Sequence, residues 1–143
     1  MAFFIIENFK QQRTIKRDLG PVIHEWSIYE NYRVWIKTIY EFGFLTKTEF
    51  ALLTNLYNYA KFLFRRPDLV IYLKGDPKKI WNKLPLEEKR CYSKRYLVKL
   101  HEKYEDLALN FDLAPVLTIN TNIINIFDES GINIMISKIK EML

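Results

Sequence analysis

His24 and Glu25 are adjacent, and an imidazole beside a carboxylate is the pairing that general-base chemistry uses. No nucleophile or metal ligand accompanies them in the sequence, so a structural histidine is the simpler expectation. His101 and Glu105 have the i, i+4 spacing that places two metal ligands on one helix face. A zinc-type site needs further ligands that the sequence does not offer, so a solvated helix face is expected there and no metal is assigned. Arg65-Arg66 beside Pro67 has the charge to hold a phosphate or an anionic headgroup, although a solvent-exposed turn would look the same. Tyr29, Tyr32, Tyr57, Tyr59, Trp35 and Trp81 could stack on bases. Packing in cores and interfaces is the simpler expectation for them.

The elements that must position these residues follow from periodicity and punctuation. With 143 residues, 49% hydrophobic and 15% aromatic, the chain can bury a core and is expected to form a single domain over residues 1–143. Ala2 to Arg17 carries apolar residues at helical spacing and ends at Asp18-Leu19-Gly20-Pro21. Val22 to Trp26 has the composition of a short strand. Glu30 to Phe42 reads as a helix with Gly43 at its C′ position. Thr46 with Glu49 three residues on forms a capping box for a helix reaching Phe64. Leu69 to Leu73 is a nearly continuous apolar run, as in a parallel strand covered on both faces. Asp76-Pro77 supplies an N-cap and an N1 proline for a helix to Lys83. A helix over Tyr92–Leu109, a strand over Pro115–Ile119 and an amphipathic helix over Ile132–Leu143 complete the chain. Alternating strands and helices predict an α/β fold with a parallel sheet flanked by helices.

The net charge of +5 is spread along the sequence, and without a nucleic-acid motif it predicts a solvated surface rather than a nucleic-acid partner. A single cysteine, Cys91, excludes an internal disulfide and a cysteine-based metal site. No apolar run reaches the roughly 18–20 residues of a membrane span, and the first residues do not read as a secretory signal.

Three stretches resemble one family, the deoxynucleoside kinases. Val22-Ile23-His24-Glu25-Trp26-Ser27-Ile28-Tyr29-Glu30, with Ile39-Tyr40-Glu41-Phe42-Gly43, is similar to the family's strand ending in Glu/Asp-Arg-Ser and the helix after it. Pro67 to Leu73 resembles the strand before the family's lid. Arg95 to Glu105 resembles the helix after the lid, and Pro115 to Ile119 the last strand. The resemblance implies a P-loop-kinase-like sheet. The family's first strand and its Gly-rich phosphate loop with Lys and Ser/Thr do not occur in these 143 residues.

The same resemblance implies which positions carried the family's chemistry. Arg13 matches a helix arginine, and Ile6 stands where the family has a glutamine paired with its general base. Glu25 and Ser27 match the Glu-Arg-Ser motif, with Trp26 in place of its arginine, and a neutral indole cannot make a guanidinium's charge-assisted bonds. Lys89 and Arg90 stand where the family's arginine-rich lid would be. These departures predict a non-enzyme with no cofactor, serving as a structural subunit of a larger assembly. The resemblance extends to a deoxynucleoside-kinase-like accessory subunit of mitochondrial respiratory complex I, which implies the matrix side of the inner membrane, with the cytoplasm as alternative. The competing expectation is one half of a split kinase whose phosphate loop lies on another chain. On either view the absence of the family's first strand leaves a gap between Val22–Trp26 and Leu69–Leu73; the two strands could close directly on each other, but another polypeptide is expected to fill it.

Overall fold

The computed structural model describes residues 2–15, 20–25 and 27–143, without the side chains of residues 2–5, 9, 12 and 13. The chain divides into two compact units, Met1–Arg65 and Arg66–Leu143.

The first unit is helical. Helix α1 spans Ala2–Ile15; the expected extension to Arg17 lies outside the described residues. Ser27 caps the next helix, its Oγ accepting from the Glu30 N–H at 3.3 Å. That helix runs continuously through α2 (Ile28–Glu30), a π-helical segment (Asn31–Ile36) and α3 (Lys37–Glu41). Within it Thr38 Oγ1 donates to the Val34 carbonyl at 2.7 Å. Gly43 takes the left-handed turn after it, at φ 78°, which costs glycine little and other residues more. Thr46 and Glu49 then start α4 (Lys47–Ala60): Thr46 N–H donates to Glu49 Oε2 at 2.8 Å, and Glu49 N–H to Thr46 Oγ1 at 3.2 Å. The helix stops at Ala60, short of the expected Phe64, as Lys61 to Leu63 turn out of register and Phe64 becomes buried. The core of this unit is Ile28, Tyr29, Val34, Ile36, Leu53 and Tyr57, with Tyr32 stacked on Tyr57 at 4.0 Å between ring centroids.

Residues 21–25 form no strand. This corrects the expectation for Val22–Trp26, whose Trp26 lies outside the described residues. The reason is physical: a strand exists only through a neighbour's hydrogen bonds. Val22 and Ile23 are left exposed without one.

The second unit is α/β. Strand β1 (Val70–Lys74) pairs in parallel with β2 (Val116–Asn120), from Val70 opposite Val116 to Lys74 opposite Asn120. Both lie within one residue of the expected strands. Helices α5 (Pro77–Lys83), α6 (Leu86–Cys91) and α7 (Lys94–Leu109) form the crossover, which a parallel connection requires. Helix α8 (Glu129–Met142) follows β2. Asp76 caps α5 through its Oδ1, which accepts from Lys78 N–H at 2.8 Å, with Pro77 in the first helical position. The apolar residues buried here are Tyr96, Leu100 and Ile119.

The pairing leaves β1 half used. Val70 N–H donates to the Pro115 carbonyl at 3.0 Å and Thr121 N–H to the Lys74 carbonyl at 2.9 Å, so the even-numbered residues of β1 face β2. Successive residues of a strand point their backbone groups to opposite sides. The N–H and C=O groups of Ile71 and Leu73 therefore point away from β2, where they meet no strand among the described residues. The side chains of the same two residues, on one face of the sheet, are uncovered as well: Ile71 is 39% exposed and Leu73 46%. Buried parallel strands do not look like this.

Gly131, in the first turn of α8, is the tightest glycine in the unit. A Cβ there would sit 1.8 Å from the Asn125 carbonyl oxygen. Gly131→Ala is expected to destabilise the protein by about 3 kcal/mol, the scale of forced backbone displacement. Urea unfolding followed by circular dichroism measures it. A loss under about 0.5 kcal/mol would show that the 125–131 turn yields freely.

Candidate functional site

The first unit gathers residues around α1. Asn31, at the start of the π-helical segment, donates from Nδ2 to Asn8 Oδ1 at 3.1 Å, and both side chains are about 5% exposed or less. A carboxamide pair buried between two helices fixes their register, since either partner alone would leave a costly polar group. π-helical turns interrupt the regular ladder and recur at functional sites. Four residues before Asn31, Ser27 is committed to its cap. His24 Nε2 donates to Gln11 Oε1 at 2.6 Å, which ties residues 20–25 back to α1. Burial holds the His24 imidazole below its ordinary pKa and favours the neutral form.

Of the positions singled out in the sequence, Ile6 lies on α1 with half its surface exposed, and Glu25 is exposed next to His24. Arg13 is on α1, but its side chain lies outside the described residues, as does all of Trp26. Structure therefore ties His24 to α1, leaves Glu25 exposed beside it and uses Ser27 as a helix cap. The Asn8–Asn31 pair went unforeseen because Asn8 follows Glu7 between Ile6 and Phe9, where two polar residues together look like a solvent-facing interruption.

In the second unit the carboxyl ends of β1 and β2 lie side by side, since the strands are parallel. Open α/β sheets bind ligands outside that edge. Lys74 ends β1. Its ammonium donates to Glu105 Oε2 at 2.5 Å, while the Tyr72 hydroxyl donates to Glu105 Oε1 at 2.8 Å. Thr121, just past β2, donates both its N–H and its Oγ1 to the Lys74 carbonyl, each at 2.9 Å. Burial by itself would push the Glu105 carboxyl up. The hydrogen bonds from Lys74 and Tyr72, with the charges of Lys74 and His101, outweigh it and hold Glu105 below the usual carboxylate range. Burial first, and then the Glu105 hydrogen bond and charge, push the Tyr72 phenol far up, so it stays a donor. His101 and Glu105 do sit one turn apart on α7, but both Glu105 oxygens are engaged by β1. A solvated helix face was expected there; the strand's alternation instead puts Tyr72 and Lys74 on the same face, and they take the Glu105 carboxylate.

Lys89 and Arg90 lie on α6. Lys89 donates to the Asn82 carbonyl at 3.3 Å and stands over the Trp81 ring at 5.9 Å from its centroid, while Arg90 is exposed. Trp35 and Trp81 are partly buried, and Tyr32 and Tyr57 stack on each other within the first unit, so these aromatics pack rather than present one open platform. No helix among the described residues is long and apolar enough to cross a membrane.

Comparison with known proteins gives the context. The family profile described as "Deoxynucleoside kinase" matches residues 1–143. The deoxyadenosine/deoxycytidine kinase of Bacillus subtilis (strain 168) is 27% identical over 147 residues, covering 99% of this chain and 68% of the relative. The deoxyadenosine kinase of Dictyostelium discoideum is 27% identical over 122 residues, covering 82% of this chain and 49% of the relative. These relatives are named as enzymes, which overturns the expectation of a non-enzyme. Neither name points to a respiratory complex, so the link to a complex I subunit has no support from them. A motif missing from 143 residues is not chemistry lost.

The Glu105 network has a pH signature. Its folded pKa is depressed, so its contribution is complete above the ordinary carboxylate pKa and is lost as pH falls through the depressed value. Glu105→Gln is expected to cost about 1 kcal/mol at pH 7, allowing for solvent screening of the half-exposed Lys74. The gap to the unsubstituted protein should close as pH drops below about 4. Urea midpoints across pH 3–8 test this, and a gap that stays constant with pH would remove the Lys74–Glu105 pair as its source.

Proposed function

Because the chain belongs to the deoxynucleoside kinase family, we propose that it supplies the helical and lid-side portion of an enzyme that phosphorylates a deoxynucleoside. The phosphate-binding strand and loop come from polypeptide outside residues 1–143, in the same chain or in another. The unpaired edge of β1 carries this reading. Ile71 and Leu73 offer two N–H donors and two C=O acceptors at the spacing of one more parallel strand, and their exposed side chains offer an apolar surface to cover. A strand added there would place β1 in mid-sheet. The loop following it would emerge at the same carboxyl edge as Lys74 and Thr121, where phosphates are bound in α/β nucleotide enzymes.

On this reading the chemistry divides in two. The phosphate loop holds the donor's phosphates through backbone N–H groups and a lysine, and phosphoryl transfer depends chiefly on such positioning and charge neutralisation. Residues of this chain set the acceptor side. Ile6, half exposed on α1 where the family has a glutamine, suits a position lining a cleft rather than a core. An isoleucine there offers an acceptor contact but no hydrogen bond, so acceptor binding should be weaker and less selective than with a carboxamide.

The test is reconstitution. Residues 1–143 mixed with a fragment bearing the strand and phosphate loop of the Bacillus relative should transfer phosphate from ATP to deoxyadenosine, while neither part does so alone. Ile6→Gln in that mixture should raise kcat/KM about tenfold, the scale of one acceptor hydrogen bond. A folded, associated mixture without phosphoryl transfer would overturn the kinase reading. Unchanged kinetics in Ile6→Gln would overturn the role given to Ile6.

A further inference from the structure

Helix α4 carries two apolar stripes one residue apart. Leu53, Tyr57 and Ala60 are buried in the first unit, whereas Leu52, Leu56 and Tyr59 are exposed, Leu52 by 69% and Tyr59 by 78%. Both sets have the i, i+4, i+7 spacing of a single helix face. Phe62 and Leu63, in the turn that ends the helix, extend the outer stripe and are exposed as well, Phe62 by 79%. No charged residue occurs from Phe50 to Ala60. A helix apolar on its outer side as well as its core side belongs in something larger than the unit that holds it. Contiguous exposed apolar surface of this kind marks a binding face.

Charge decides what covers it. From Phe50 to Pro67 there is no acidic residue, and the charged residues are Lys61, Arg65 and Arg66. The Lys61 ammonium lies 5.1 Å from the centroid of the Phe62 ring and 5.7 Å from that of Tyr57, so a cation stands at the root of the apolar tip. Arg65 is exposed two residues past Leu63. The last carboxylate before this stretch, Glu49, is drawn back onto Thr46, accepting from its N–H at 2.8 Å and its Oγ1 at 2.7 Å. A second copy of the same face would bring further cations and no anion. An anionic lipid bilayer complements both halves: its acyl boundary takes the leucines and Phe62, and its headgroups take Lys61 and Arg65. We propose that the outer stripe of α4, with the turn from Lys61 to Arg65, attaches the protein to an anionic bilayer surface. Attachment lies in the interface and needs no crossing helix. It stands apart from the phosphoryl-transfer reading.

Vesicle flotation tests this on the full chain, with vesicles of phosphatidylcholine alone or of phosphatidylcholine and phosphatidylserine. The chain is expected to float with the mixed vesicles and to bind phosphatidylcholine alone about tenfold more weakly, since each basic residue near an anionic surface adds about fivefold. Phe62→Ser with Leu63→Ser should weaken binding to the mixed vesicles about tenfold. Phe127→Ser, which removes an exposed aromatic from the second unit, should leave it unchanged. Lys61→Gln with Arg65→Gln should reduce binding to the level seen with phosphatidylcholine alone. No flotation with mixed vesicles, equal binding to both kinds, or an equal loss in Phe127→Ser overturns the proposal, and the first two outcomes need no variant. A dimer in light scattering that Phe62→Ser disperses, with vesicles left unbound, would give the stripe to a second copy instead. Phosphoryl transfer by a reconstituted mixture that does not float would reject the attachment and leave the kinase reading standing. Flotation of that mixture without transfer would do the reverse.

Discussion

The unpaired edge of β1 governs the rest of the second unit. A parallel strand needs neighbours, because its backbone groups alternate sides and only half can be satisfied by one partner. Val70, Tyr72 and Lys74 spend theirs on β2; Ile71 and Leu73 do not. Water satisfies those four groups only while the edge stays exposed, and exposure keeps the flanking side chains out of any core. The small set of buried apolar residues in this unit, Tyr96, Leu100 and Ile119, is the packing counterpart of that edge. Secondary structure here is complete, but the layer it belongs to is not.

Polar chemistry compensates where apolar burial is thin. The Glu105 carboxylate receives Tyr72 and Lys74 and so ties α7 to β1. Thr121 closes the ends of the two strands on the Lys74 carbonyl. Together these bonds hold the carboxyl edge of the sheet in place without a third strand. In the first unit the work is done by burial, with the Asn8–Asn31 carboxamides giving specificity inside an otherwise apolar contact.

Features set by neighbouring residues in the chain were legible in the sequence. The Thr46–Glu49 box, the Asp76–Pro77 start and the left-handed Gly43 are local chemistry, and each stands where its residues imply. Strands β1 and β2 were legible because apolar β-branched runs have few other uses. What depends on distant partners was not. Residues 21–25 have a strand's composition without a strand's neighbour. The π-helical turns at Asn31–Ile36 and the Tyr72–Glu105–Lys74 network arise from packing that no periodicity encodes. The helix after Thr46 outran its true end because Lys61, Phe62 and Leu63 are compatible with helix, and only the burial of Phe64 decides otherwise. Ile6, Trp26, Lys89 and Arg90 were legible only as family positions; physics alone would not have singled them out.

Amide hydrogen exchange at single-residue resolution along β1 tests the central claim most directly. In residues 1–143 alone, the Ile71 and Leu73 amides should exchange far faster than those of Tyr72 and Lys74, which bond to β2. Addition of the polypeptide that carries the phosphate-binding strand should slow Ile71 and Leu73 to the rate of their neighbours. Equal protection of all four amides in the isolated chain would contradict the account, since it would mean that the edge is already paired and that no strand is awaited there.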